Sequence, residues 1–426
     1  MAEPRPHLLL VPAFLGGHGG LENHVLAHAR IGAEAGYRVT VVTPRPIPPG
    51  GELGPRLAEW ADVTDAERAW RARPSTRVVR LVAGARATLV DRRLPDADRR
   101  ATLALDRARP ALERFWREDG AALLASADVV YAYGKPKAFV ANLVEAAADA
   151  GVPVAYNEIA QVTDAYARRP DLAGFARVVN RCDRVVVMSE SQGDDVRRRF
   201  GYRGEVTVVE QWADELEADL LAVARPTTAG SDGPVVIGSL CRLSPEKGLD
   251  TLLAAFARVA ADRPAAVLVV AGTGALDAPL RALAADLGIA DRVDFRGFVE
   301  DRVDFYRGLD AFAVCSIEEG GPITGVEAMA AGLPVVTTPC GAMPDRVRDG
   351  REGLRVDVGD VDGLATALTR LVDDPGTRRS LGDAARARYR DRNTEAANRR
   401  CLVALWSALR AERERARPAP AVAASS

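Results

Sequence analysis

Val235-Val236-Ile237-Gly238-Ser239-Leu240 runs straight into Cys241-Arg242-Leu243-Ser244-Pro245-Glu246-Lys247-Gly248, and an amphipathic stretch over 249–261 follows. A β-branched apolar run, a polar turn and a helical period in that order read as strand, turn and helix. The same unit recurs outward from this point. Strands are expected over 266–271, 293–296, 311–315 and 334–338, and a helix over 364–372. Toward the amino terminus, beyond the Gly/Ser/Thr-rich stretch 225–233, strands are expected over 7–11, 38–43, 129–133, 153–156 and 184–188, with a helix over 21–35. This alternation predicts an α/β protein with parallel, doubly wound sheets and crossover helices. The break predicts two such domains, 1–224 and 234–390, with 225–233 as linker. A helix over 391–416 is expected to cross back to the first domain, and the Pro/Ala-rich tail 417–426 to be disordered. Ligands of such sheets sit beyond the carboxyl ends of the strands, so two facing domains make a cleft.

Composition narrows the function classes. The chain has 426 residues, 48% apolar and 27% charged, with a formal net charge of −2. That excludes a wholly disordered chain and nucleic-acid binding through bulk charge. No apolar run reaches the roughly 18–20 residues of a membrane span. The stretch 8–15 is short and broken by Pro12, so it reads as a first strand and not as a signal peptide. Five cysteines without a C-x-x-C give neither a disulfide framework nor a zinc site, and point to a reducing cytoplasm. The Arg- and acid-rich stretch 85–119 reads as a solvated or partner-facing helix pair. Among 57 basic residues only Lys135, Lys137 and Lys247 are lysine, which marks these three as positions needing a compact ammonium.

Three turns carry candidate chemistry. In 241–248, Ser244 before Pro245 is a helix-start pair that places Lys247 in a first helical turn. A cation there costs about 0.3–1 kcal/mol unless an anion is near. Arg242 and Lys247 thus point to a shared anion such as a diphosphate, or else to an exposed turn with two solvated cations. In 319–330, a Gly-rich loop again joins strand to helix. Thr324 and Glu327 have capping-box spacing; alternatively Glu319 and Glu327 accept hydrogen bonds from sugar and ribose hydroxyls. In 16–20, Gly16-Gly17-His18-Gly19-Gly20 is either a nucleotide loop or a tight turn. His24 and His28 share a helix face, but a metal site would need a third ligand, which leaves packing or surface roles.

Residues 235–340 resemble the carboxyl-terminal domain of retaining, family-four glycosyltransferases of GT-B architecture, in which two Rossmann-like domains face each other across a cleft. The matching pieces are 242–248, the Glu319-x7-Glu327 motif, and 327–336; Gly19-Gly20-Leu21-Glu22-Asn23-His24-Val25 matches more loosely. The resemblance implies a nucleotide-diphosphate sugar as co-substrate, with no further cofactor and no metal. Asp96-Ala97-Asp98 spells a metal motif, but no strand precedes it. Arg242 and Lys247 would neutralise the leaving diphosphate. Glu327 would bind ribose and Glu319 the donor sugar. Amides around Gly321, Ile323 and Thr324, and the turn at Gly19 and Gly20, would meet sugar and phosphate. Val299 would meet the base, and Asp301 would accept from guanine, which favours GDP over UDP.

The pattern breaks at one place. Family members usually carry a histidine after the strand that here ends Tyr156-Asn157-Glu158-Ile159, and Pro322 lacks an N–H where glycine is frequent. Glu158, Asn157 or His18 is then the expected replacement on the acceptor side. A thiolate-like acceptor needing little base help, or loss of catalysis, are the other readings. Lys135 and Lys137 flank the same strand ends and are expected to hold an anionic acceptor group. The reading as a whole is a cytoplasmic retaining glycosyltransferase acting on a small soluble acceptor, in keeping with bacterial natural-product chemistry. A sugar-nucleotide epimerase, or a degenerate homologue binding a nucleotide sugar or partner, are the alternatives.

Overall fold

The computed structural model describes residues 4–13, 15, 20–48, 52–67, 115–134, 138–161, 163, 174–224 and 233–416. Two wholly parallel sheets organise them. The first contains β1 (His7–Pro12), β2 (Arg38–Thr43), β3 (Asp62–Asp65), β4 (Val129–Tyr133), β5 (Val154–Asn157), β6 (Arg184–Val187) and β7 (Glu205–Val208), in the order β3-β2-β1-β4-β5-β6-β7. The second contains β8 (Val235–Leu240), β9 (Ala266–Ala271), β10 (Val293–Gly297), β11 (Ala311–Val314), β12 (Val335–Thr337) and β13 (Gly353–Arg355), in the order β10-β9-β8-β11-β12-β13. Strand order reverses between β1 and β4 and between β8 and β11. Crevices open at such switch points beyond the strand ends.

The strands are apolar on both faces because helices cover both. Leu9 and Val11 enter one core of the first sheet, Leu8 and Leu10 the other. Leu268 and Val270 do the same against Val269 and Ala271 in the second sheet. The expected strands are all present, to within a residue or two at their ends. Three strands went unread, β3, β7 and β13, and each is a sheet edge. Edge strands bury less, so Asp62-Val63-Thr64-Asp65 and Glu205-Val206-Thr207-Val208 lack the apolar run that marks a central strand.

The chain crosses back at its end. After a π-helical turn, Tyr389–Asn393, the helix Glu395–Ala416 places Leu402, Leu405, Trp406 and Leu409 in the core that holds Leu8, Leu10 and Val25. Arg30 with Glu395 and Arg184 with Glu412, each at 2.6 Å, fix it outside. The first domain ends earlier than residue 224: Ala213 and Leu220 pack in the second domain's core with Phe305 and Tyr306. No strand-like run at 205–225 had revealed that transfer. Leu409→Ala should cost about 3 kcal/mol by emptying a buried site at this junction, read as a lowered urea midpoint; an unchanged midpoint would mean the helix is not part of the cooperative unit.

Candidate functional site

β8 ends at Leu240 and the turn that follows is tightly built. Leu243 N–H donates to Thr273 O at 2.9 Å. A Cβ on Gly272 would stand 1.8 Å from Cys241 O, and one on Gly274 2.2 Å from Leu243 O. The Gly272-Thr273-Gly274 loop after β9 thus supports the turn by backbone contact that only glycine permits. This pair escaped the sequence reading, although a G-x-G after a strand was its signal. Ser244 precedes a 3₁₀ turn, Pro245–Lys247, and Gly248 then takes φ +61° before the helix Leu249–Asp262. A side chain at 248 would meet Cys315 O at 2.2 Å.

This corrects one expectation. The α-helix starts after Lys247, so Lys247 is not in its first turn and the macrodipole argument does not apply. The ammonium instead pairs with Glu319 Oε1 at 2.8 Å, with the lysine side chain 11% exposed. Arg242 stands 69% exposed, 3.7 Å from Glu246. Burial pushes the Glu246 carboxyl up, but the Ser244 hydroxyl, the Glu246 backbone N–H and the Arg242 and Lys247 cations outweigh it and leave it lowered.

The second turn follows β11. Ser316 donates to Glu319 Oε2 at 2.8 Å, and Glu319 N–H donates to Gln161 Oε1 across the domain seam at 3.3 Å. Gly320 O accepts from Gln192 Nε2 at 2.8 Å and from Ala342 N–H at 3.0 Å. A Cβ on Gly320 would meet Ile159 O at 1.8 Å, and one on Gly321 would meet Gln211 Oε1 at 2.3 Å. The loop therefore lies against the strand ends of the first domain, and only glycines let it approach.

The helix Ile323–Ala330 begins after Pro322, so Thr324 is its second residue and not its cap. The capping-box alternative fails accordingly. Glu327 is 1% exposed; it accepts from Arg302 and, at 2.8 Å, from Tyr306 OH. Burial raises its pKa, against the pull of Arg302 and Tyr306. Its carboxylate is thus held at a fixed position beside the amino end of the helix. The first-turn N–H groups of Ile323 and Thr324 have no carbonyl one turn back and are available to an anion or a hydroxyl. Arg302 and Tyr306 were missed because nothing local in sequence links them to Glu327.

The remaining candidates divide. Val299 is partly buried against the second core, beside Phe298, a ring 69% exposed that the sequence reading passed over. Asp301 caps the helix Arg302–Arg307 by accepting from Asp304 N–H at 2.8 Å, which accounts for it without a guanine. Glu158 is 1% exposed and accepts from Ala160 N–H at 2.8 Å and Tyr156 OH at 3.2 Å. It braces the loop that touches Glu319 and does not stand open in the cleft as a replacement for histidine. Asn157 is buried at the end of β5 with Oδ1 unpartnered. Gly20 opens the helix Gly20–Glu34. His18, Gly19, Lys135, Lys137, the 96–98 motif, most of 85–119, most of the 225–233 linker and the 417–426 tail lie outside the described residues.

His24 and His28 stack at 6.0 Å inside the first domain, with His28 Nδ1 2.8 Å from Tyr133 OH. Among the described residues no three His, Cys, Asp or Glu side chains are placed to hold a metal ion. Among them, too, no helix is long and apolar enough to cross a membrane. Burial pushes the Cys241 thiol up to about 12 and the Cys340 thiol to about 11, so neither is a ready nucleophile.

Comparison with known proteins places this geometry. Residues 224–388 match the model described as glycosyl transferases group 1, and residues 18–215 the model described as glycosyltransferase family 4. The lipopolysaccharide core biosynthesis glycosyltransferase LpsE of Rhizobium meliloti is 33% identical over 184 residues, 43% of this chain and 52% of that protein. The GDP-mannose-dependent monoacylated alpha-(1-6)-phosphatidylinositol monomannoside mannosyltransferase of Corynebacterium glutamicum is 37% identical over 166 residues, 37% of this chain and 43% of that protein. The matches thus span about half the length of these curated relatives. In fold, the Anabaena Alr3699/HepE crystal structure in complex with UDP superposes with a TM-score of 0.69 at 19% identity, over 94% of this chain and 100% of that one. Two family models that between them match most of the chain, on two facing parallel sheets with the Lys247–Glu319 pair at their seam, make it a member of the family-four glycosyltransferases with the GT-B fold.

Proposed function

We propose that this chain transfers a sugar, with retention at the anomeric carbon, from a nucleotide-diphosphate sugar to a small soluble acceptor. The observation that carries the reading is the meeting of Lys247 and Glu319 at 2.8 Å, beside the Gly320–Gly321 loop that the first domain touches. Glu319 then takes a donor-sugar hydroxyl, and Lys247 is left to face the diphosphate together with Arg242, whose guanidinium is exposed. In this reading the two cations neutralise the diphosphate, as a metal ion does in other enzymes of this chemistry. Glu327, pinned by Arg302 and Tyr306, accepts from the ribose hydroxyls, and Phe298 offers a face for the base.

As the bond between anomeric carbon and phosphate breaks, negative charge grows on the leaving oxygen. The held ammonium of Lys247 and the first-turn amides favour that state over the ground state. The departing phosphate oxygen takes the acceptor proton, so no side-chain base is needed and Glu158 serves to position the 158–161 loop. Guanine is the preferred base; the GDP-mannose dependence of the Corynebacterium relative supports it, and the UDP in the Anabaena complex is the contrary indication.

A thermal-shift panel of UDP, GDP, ADP and their sugars tests the reading, because a ligand specific for the folded state raises Tm by mass action. GDP or a GDP-sugar should give the largest shift. Glu327→Ala should weaken that ligand about tenfold or more through loss of charged hydrogen bonds. No shift from any nucleotide at millimolar concentration would remove the donor site. Product formed from the donor without any acceptor would make the protein an epimerase.

A further inference from the structure

The seam between the sheets holds a second polar cluster that the donor site leaves unused. Arg346 closes the short helix Met343–Arg346 and is fully buried. Its Nη1 donates to Gln211 Oε1 at 3.0 Å, while Nε and Nη2 are buried without a partner. Nε and Nη2 are one edge of the guanidinium, the parallel pair that meets a carboxylate or phosphate bidentately. The neighbouring acids are committed elsewhere. Glu210 accepts from Arg388 and Asn393 at 3.0 Å and pairs with Arg392 at 3.3 Å; Asp345 accepts from Ser191 N–H.

Two more buried groups in this cluster lack partners, Trp212 Nε1 and His24 Nε2, on rings stacked 6.0 Å apart. Burial, helped by the Arg346 cation, lowers His24 to about 4, so its imidazole is neutral at pH 7. Gln211 Oε1 is also the atom that a side chain at Gly321 would strike. The cluster therefore abuts the donor-sugar loop. A buried cation whose nearest acids, Glu210 and Asp345, are already bonded to other groups, beside buried polar atoms without partners, is costly unless a further anion meets it.

We propose that Arg346, with the indole N–H of Trp212 and the imidazole of His24, is a receptor for an oxyanion, a carboxylate or phosphate group carried by one of the two substrates. Which substrate carries it rests on the glycosyl-transfer reading; the anion site does not.

Thermal shift of the full chain with inorganic phosphate tests it in the wild type and in Arg346→Met, Trp212→Phe and Lys247→Met. Lys247→Met removes a cation of the diphosphate site and should still keep the part of the phosphate response that Arg346→Met loses. Arg346→Met should need roughly ten- to hundredfold more phosphate. Without phosphate its Tm should equal or exceed the wild-type value, since an apolar side chain replaces a buried charge whose desolvation outweighs its compensation. Trp212→Phe keeps a ring and loses only the N–H; a several-fold weaker response there supports the proposal even should Arg346→Met not fold. Equal phosphate responses in wild type, Arg346→Met and Trp212→Phe would overturn it. So would a response lost in Lys247→Met and kept in Arg346→Met, which assigns phosphate to the diphosphate site. A nucleotide uronate against the neutral nucleotide sugar (GDP-mannuronic acid against GDP-mannose, and UDP-glucuronic acid against UDP-glucose) separates the carriers. Selective weakening of the former by Arg346→Met puts the anion on the donor. Weakening of phosphate and free glucuronate alone puts it on the acceptor. Should no nucleotide bind even the wild type, the donor reading fails while the phosphate comparison still decides the site.

Discussion

Replacing Lys247 by alanine is expected to lower kcat for release of nucleotide from the donor sugar by about two to three orders of magnitude, with a much smaller change in KM. The reason lies in where the ammonium is held. It is 2.8 Å from Glu319 Oε1, on a side chain 11% exposed, at the end of a 3₁₀ turn closed by Gly248. Glu319 is held from its other side by Ser316. The ammonium is therefore already positioned before a donor arrives, and little reorganisation accompanies the growth of charge on the leaving oxygen. Arg242, 69% exposed, has no such constraint, so Arg242→Ala should act more through donor affinity than through kcat. Lys247→Arg should rescue poorly, because a planar guanidinium does not fit a slot shaped around a point charge. The check is steady-state kinetics on the donor that gives the largest thermal shift. A kcat for Lys247→Ala within a few-fold of wild type would show that the diphosphate is neutralised elsewhere.

Much of this site was legible in the sequence, for a definite reason. Central strands of a parallel sheet are buried on both faces and must be apolar, so 235–240 and 311–315 announced themselves, and with them the polar turns at their carboxyl ends. Lys247 stood out against an arginine background. What was lost is what only the folded chain brings together. The pairing of Lys247 with Glu319, and of Glu327 with Arg302 and Tyr306, joins residues of separate strand–helix units. In sequence, Ser244-Pro245 reads as the start of an α-helix because the start signals for 3₁₀ and α turns are the same; only the left-handed Gly248 separates them. The capping box failed because Pro322 had already started the helix, which turned Glu327 inward. Arg346 gave no signal at all, since one arginine among many says nothing of burial until the fold encloses it.

Asp214→Asn should stabilise the protein at pH 8 by about 2–4 kcal/mol and do almost nothing near pH 4. Asp214 is the one non-glycine with positive φ, +46°, among the described residues, and it sits where the chain leaves the first domain's core for the second. Its Oδ1 is enclosed and unpartnered. Burial, then the charges of Glu327, Glu215 and Glu395, raise its pKa from 3.8 to about 7, with Arg302 pulling the other way. The folded protein therefore holds a proton that the unfolded chain has released. That contribution is fully present below pH 3.8 and is lost as pH rises through about 7. At about 1.4 kcal/mol per unit the whole shift is worth about 4 kcal/mol, and the residue's partial exposure brings the lower bound nearer 2. Asparagine tolerates the left-handed backbone and presents an uncharged amide, so it keeps the conformation and removes the titration. Urea midpoints of both proteins at pH 4, 5, 6, 7 and 8 should diverge steadily and then run parallel above about pH 7. A difference constant across that range would mean that Asp214 is ionised throughout, and that the charge beside Glu327 and Arg302 is borne by the native connector at every pH.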